Sequence, residues 1–220
     1  MRKLTLTGLS AITHKEKLNS IDPKTSEYYP LVQDIRKNCD LDITFIDEVT
    51  STVDDISEAI PYLFDRFIKE ENPHCMFAHY GVFVDKRYFH LISINKLIEK
   101  YKSLNNIWLK NDNAGPKGQL ARLISLMIDK DDIDKIYTRF LDDENLGDTR
   151  VWFLDVLNKY KANQKFYDYL ISHKDKYKDR KIEYGIYENN MPYEENKVMH
   201  LVINNILNSK KWKKFAEENK

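Results

Sequence analysis

A chain of 220 residues is long enough to bury a core, and its charge is evenly divided, with 35 Lys and Arg against 35 Asp and Glu. That zero balance removes any bulk pull toward nucleic acid or an anionic membrane, so such binding would need a local patch. The 14 Tyr, 10 Phe and 3 Trp exclude a disordered chain, and with only six Gly and six Pro the sequence suits solvated helix faces better than many tight β-turns.

Residues 1–25 show no strong period. Leu4, Leu6 and Leu9, separated by Thr, fit a short strand or an irregular cap, and Ser20 to Pro23 reads as a turn. Tyr29, Leu31, Val32 and Ile35 define a short amphipathic helix whose start is placed by Pro30, because proline is tolerated in a first turn. The alternation of Leu41, Ile43 and Phe45 allows a strand. A lone strand is unstable, so an extended lead-in with one helical turn is the preferred reading of 41–49.

Next, a helix is expected from Ser51 or Thr52. Thr52 is its cap, Asp54 and Asp55 lie in its first turn, and Ile56, Ile60, Leu63, Phe64, Phe67 and Ile68 form its apolar face. Pro61 should kink or split it. Pro73 to Val84 is an almost uncharged apolar segment and reads as a buried helix, and a further helix covers Tyr88 to Tyr101. The Asn-rich stretch from Asn105 to Gly115 is a loop and a seam in the chain.

Beyond the seam, four amphipathic patterns alternate as two similar pairs, offset by about 33 positions. Under that shift Leu120 falls on Phe153, Leu123 on Val156, Ile124 on Leu157 and Met127 on Tyr160. In the partner helix Ile133 falls on Phe166, Ile136 on Tyr169 and Tyr137 on Leu170. Apolar matches apolar each time, as a repeated helical hairpin requires. After a charged stretch at 174–181, residues 182–187 are a helix or a brief extended piece and Met191-Pro192 is a break. Asn196 to Asn208 is an amphipathic helix, and the tail carrying Trp212 and Phe215 suits a terminal cap.

Three places resemble HEAT-repeat proteins. Ala59-Ile60-Pro61-Tyr62-Leu63 is similar to the proline-bent first helix of that unit. Gly147-Asp148-Thr149-Arg150-Val151, with Leu154 and Leu157, is similar to the second. Gly118 to Ile128 followed by Asp131-Asp132-Ile133 resembles the same join one unit earlier, with the arginine displaced to Arg122. The resemblance covers 51–174 and extends toward 208; residues 1–50 match no unit. It implies an all-α fold, a right-handed superhelix of about four to five hairpins over 51–220 with 1–50 as an irregular N-terminal cap, as in small bacterial HEAT-like proteins.

Chemistry-bearing clusters are sparse. GPKG at 115–118 lacks the spacing of a phosphate loop and reads as a turn entering a helix. His74, Cys75 and His79 lack a fourth ligand at zinc spacing, and His79 reads as a core histidine. Cys39 and Cys75 have no CxxC spacing and no evident activating base, so no cofactor, metal or catalytic residue is assigned. Absence of a disulfide framework points to a reducing, cytoplasmic setting, no run of about 18 apolar residues indicates a membrane span, and the basic opening is a poor signal peptide.

The expected function is therefore a non-enzymatic protein-interaction module of the immunity or regulatory type. Its concave face is built from the second helices, and Arg122, Ser125, Arg150 and Asn158 point into it. The alternative is a nucleic-acid binder or DNA glycosylase of the HEAT-like alkylpurine type, a family whose members use Trp and Asp on the concave face. Trp108 and Asp112, four apart, are the matching pair, although zero net charge disfavours nucleic acid. Basic groups at 174–181 and 210–214 read as solvated edges.

Overall fold

A computed structural model describes residues 1–108, 115–160, 163–178, 183–187, 192–194 and 197–219. The chain is mostly helical and divides into two compact units, Met1–Lys100 and Tyr101–Lys220. Residues 1–50 therefore share a unit with 51–100.

In the first unit, β1 (Arg2–Lys3) pairs in parallel with β2 (Leu41–Asp42), joining Arg2 to Leu41 and Lys3 to Asp42. The stretch around Leu41 thus has its strand partner at residues 2–3, and an extended lead-in followed by a helical turn is what forms. That turn is α3 (Ile46–Thr50), preceded by α1 (Gly8–Ser20) and α2 (Tyr29–Cys39). One Glu48 carboxylate oxygen accepts from the amides of Thr44 at 2.7 Å and Phe45 at 2.8 Å, satisfying donors that an open helix start leaves unmatched.

The helix expected from Thr52 begins instead at Ile60, as α4 (Ile60–Lys69). Residues 51–53 are drawn to the N-terminal segment: Thr7 N donates to Ser51 O at 3.0 Å and Val53 N to Thr5 O at 2.9 Å. The Thr52 hydroxyl donates to Thr5 O at 3.0 Å, and Asp54 accepts from Thr5 N at 2.7 Å. Pro61 lies in the first turn of α4, where its missing N–H costs nothing, so it starts this helix and does not kink it. α5 (Pro73–Tyr80) is capped by Asn72, which accepts from His74 N and Cys75 N, and continues as a 3-10 turn over Gly81–Val84. Leu31, Ile35, Ile43, Ile60, Leu63, Phe67, Met76 and Phe83 fill the core.

α6 (Ile94–Ser103) carries the chain into the second unit. β3 (Asn106–Trp108) pairs in parallel with β4 (Glu183–Tyr187), which pairs antiparallel with β5 (Pro192–Glu194). Of the segment expected to be loop, 106–108 is thus a strand, and of the two readings of 182–187 the extended one forms over 183–187. The helices are α7 (Gly115–Met127), α8 (Val151–Lys159), α9 (Gln164–His173), α10 (Lys197–Asn208) and α11 (Lys210–Glu218).

The sequence echo is also an echo in burial. Leu120 and Phe153, Leu123 and Val156, Ile124 and Leu157, Ile136 and Tyr169, and Tyr137 and Leu170 are all buried, and Met127 and Tyr160 are both half-buried; the remaining pair departs, Ile133 being half-buried where Phe166 is fully buried. The elements beneath are unequal, however. α9 is a continuous helix, but its counterpart at 130–141 is broken into a 3-10 turn (Lys130–Asp132) and a π-turn (Tyr137–Leu141). A second 3-10 stretch, Glu144–Arg150, contains Gly147 at φ 60°, ψ −153°, a conformation essentially restricted to glycine.

Candidate interaction face

α7 and α8 pack against one another, and Leu120, Leu123, Ile124, Phe153, Val156 and Leu157 are buried on them. Helical geometry then fixes what faces away. On α7 these are Arg122, Ser125 and Leu126; on α8 they are Trp152, Asp155, Asn158 and Lys159, all exposed or half-buried. The guanidinium carbon of Arg122 sits 5.6 Å from the Trp152 ring centre, within cation–π range. Leu126 keeps 39% of its surface exposed beside Arg122, and Asp155 pairs with Lys159 at 2.7 Å.

The expected site residues divide here. Arg122 and Ser125 lie on α7, but the Ser125 hydroxyl is turned to its own helix, donating to Arg122 O at 2.7 Å. Asn158 lies on α8 and is occupied: its side-chain oxygen accepts from Trp212 Nε1 at 2.7 Å. The ammonium of Lys211 caps the C-terminal end of α8 on the carbonyls of Asn158 and Tyr160. Burial lowers the pKa of that lysine.

Arg150 does not point into any open face. It is 0% exposed, with Nε donating to Gly147 O at 2.8 Å and Nη1 to Leu141 O at 3.0 Å and to the Tyr177 hydroxyl at 3.3 Å. Three buried acceptors, two backbone carbonyls and one hydroxyl, are met by one fork-shaped donor, so Arg150 serves the fold. Trp108 lies in β3, opposite Tyr187, where helical spacing to a residue four positions on does not apply. Asp112 lies outside the described residues.

Trp152 was missed by sequence reading, which took polar residues alone for the face. The same offset places Gln119 on Trp152, Arg122 on Asp155 and Ser125 on Asn158, so the outward column was open to the same arithmetic.

The other titratable candidates are quiet. His79 is fully buried between the rings of Phe67 and Phe83. His74 lies 3.8 Å from Glu27, burial raises the Cys75 thiol, and burial, then Asp34, pushes Cys39 up to about 11. Among the described residues no group of three or more His, Cys, Asp or Glu is placed to hold a metal ion, and no helix is long and apolar enough to cross a membrane. Comparison with family models, curated proteins and solved structures finds no match for this chain.

Proposed function

We propose that the chain is a protein-interaction module that recognises its partner through the outward face of α7 and α8. On this reading the 33-residue echo reflects stacked HEAT-like hairpins, and the face is the repeated outer column of those hairpins. The observation that supports it is the Arg122–Trp152 stack flanked by exposed Leu126. Tryptophan and arginine dominate binding energy at interfaces because each offers a large apolar surface together with a directional polar group. A glycosylase-type reading gains nothing from Trp108 in a strand or from a chain without net charge.

The test is capture of partners from lysate of the source organism by wild-type protein, Trp152→Ala, Arg122→Glu and a control, Leu201→Ala, whose side chain is also exposed. A discrete protein should survive nuclease and moderate salt, bind wild type and the control, and be lost from both face variants. Retention by the face variants, or recovery of nucleic acid in place of protein, overturns the reading.

A further inference from the structure

The first unit contains a hollow of about 590 Å³, within the range of pockets that enclose small organic ligands. Its walls come from the turn after α1, the start of α2, residues 44–50 and Ala78 of α5. Tyr28, Tyr29, Val32 and Phe45 make much of the lining, with Val32 and Phe45 already buried and Ile21 half-exposed at 49%.

The charged residues are of one sign. Glu27 and Asp47 line the hollow, and no Lys, Arg or His is among its described lining residues. Glu27 keeps about half its side chain in solvent, with His74 3.8 Å away. Burial, reinforced by its hydrogen bond to Glu27, pushes the Tyr28 hydroxyl up to about 12, and that hydroxyl engages one side of the Glu27 carboxylate. An anion would meet two carboxylates here. A neutral apolar molecule would use the walls and ignore the acids. An ammonium uses both, taking charge-assisted hydrogen bonds from its N–H groups to carboxylate and attraction from aromatic faces.

We propose that this hollow is a binding site for a small organic amine, with an ammonium held by Glu27 and Asp47 and an apolar body of about phenyl size against Tyr28, Tyr29, Val32 and Phe45. The site belongs to the first unit and does not depend on the α7–α8 face.

Calorimetric titration of the full chain with phenethylamine, phenethyl alcohol and hydrocinnamate tests it, since the three share a body and differ in charge. The amine should bind about tenfold more tightly than the alcohol, the margin of one hydrogen bond to a charged group, and hydrocinnamate should not bind. Glu27→Gln combined with Asp47→Asn should bring the amine down to the alcohol's affinity while circular dichroism shows that the fold is retained. Ala78→Leu, which fills the hollow from α5, should weaken the amine and the alcohol alike. Failure of the amine to bind, equal binding of all three, or an amine affinity untouched by the double substitution overturns the proposal.

Discussion

The Arg150 guanidinium donates to the Leu141 carbonyl at 3.0 Å, closing the irregular stretch between the π-turn and α8 from inside the core. The same side chain holds Gly147 O and the Tyr177 hydroxyl, and its guanidinium lies 5.3 Å from the Tyr177 ring centre. Replacing it leaves these buried acceptors without their donor. Arg150→Met should therefore destabilise the chain by on the order of 3 kcal/mol, read as a lower urea midpoint. Arg150→Lys should not restore it, because an ammonium cannot span three acceptors set for a fork. Arg122→Ala, at the surface, should stay within about 0.5 kcal/mol. Equal midpoints for Arg150→Met and Arg122→Ala would refute this account of the loop.

His79 sets an acid limit on the first unit. Burial, reinforced by the positive charge of Arg66, pushes its imidazole from 6.5 down to about 4, and neither ring nitrogen has a hydrogen-bond partner. The folded pKa is depressed, so between about 4 and 6.5 the unfolded chain binds the proton and the folded one does not. Stability is then full above 6.5 and falls as pH drops toward 4, by on the order of 3 kcal/mol. Urea midpoints measured across that window should slope less for His79→Leu than for wild type. Parallel slopes would place the acid sensitivity elsewhere.

Trp212 anchors α11, beside the Lys211 cap on α8. Trp212 is 1% exposed, lies edge-on to Phe166 at 5.3 Å and to Phe215 at 5.4 Å, and hydrogen-bonds Asn158. Trp212→Ala should cost about 3–5 kcal/mol and open the helical backbone beside the exposed lysines of α11 to trypsin. Trp212→Phe keeps much of the packing but leaves the Asn158 oxygen without its donor, a loss of about 1 kcal/mol. Trypsin cleavage of Trp212→Ala at the wild-type rate would contradict this anchoring.

Much of the helical character was legible because burial follows period. The apolar positions of α7, α8 and α9 recur at helical spacing, and the three pairs Leu120/Phe153, Leu123/Val156 and Ile124/Leu157 that match α7 to α8 are buried together. The misread places share a cause, which is competition from residues distant in sequence. Thr52 has every local mark of a cap, yet Thr5 claims its hydroxyl and Asp54 together. Residues 130–141 have helical periodicity, but burying Ile136, Tyr137, Phe140 and Leu141 in this core leaves them as broken turns, with Phe140 stacked on Phe153 at 4.0 Å. Arg150 reads as a surface charge because nothing in the sequence announces the carbonyls it must satisfy. Of the candidate face, Arg122 was foreseen from polarity, whereas Trp152 was hidden because aromatic residues are as common in cores as at interfaces.

β3 emerges from the ribosome about eighty residues ahead of β4, the strand it pairs with in parallel. Throughout that interval the edge of β3 that β4 will occupy has no answering backbone, while α7, α8 and α9 are being made. Completion of this sheet is thus a late event in the life of a nascent chain, and polypeptides released before Glu183 lack the strand on which β3 depends for its pairing.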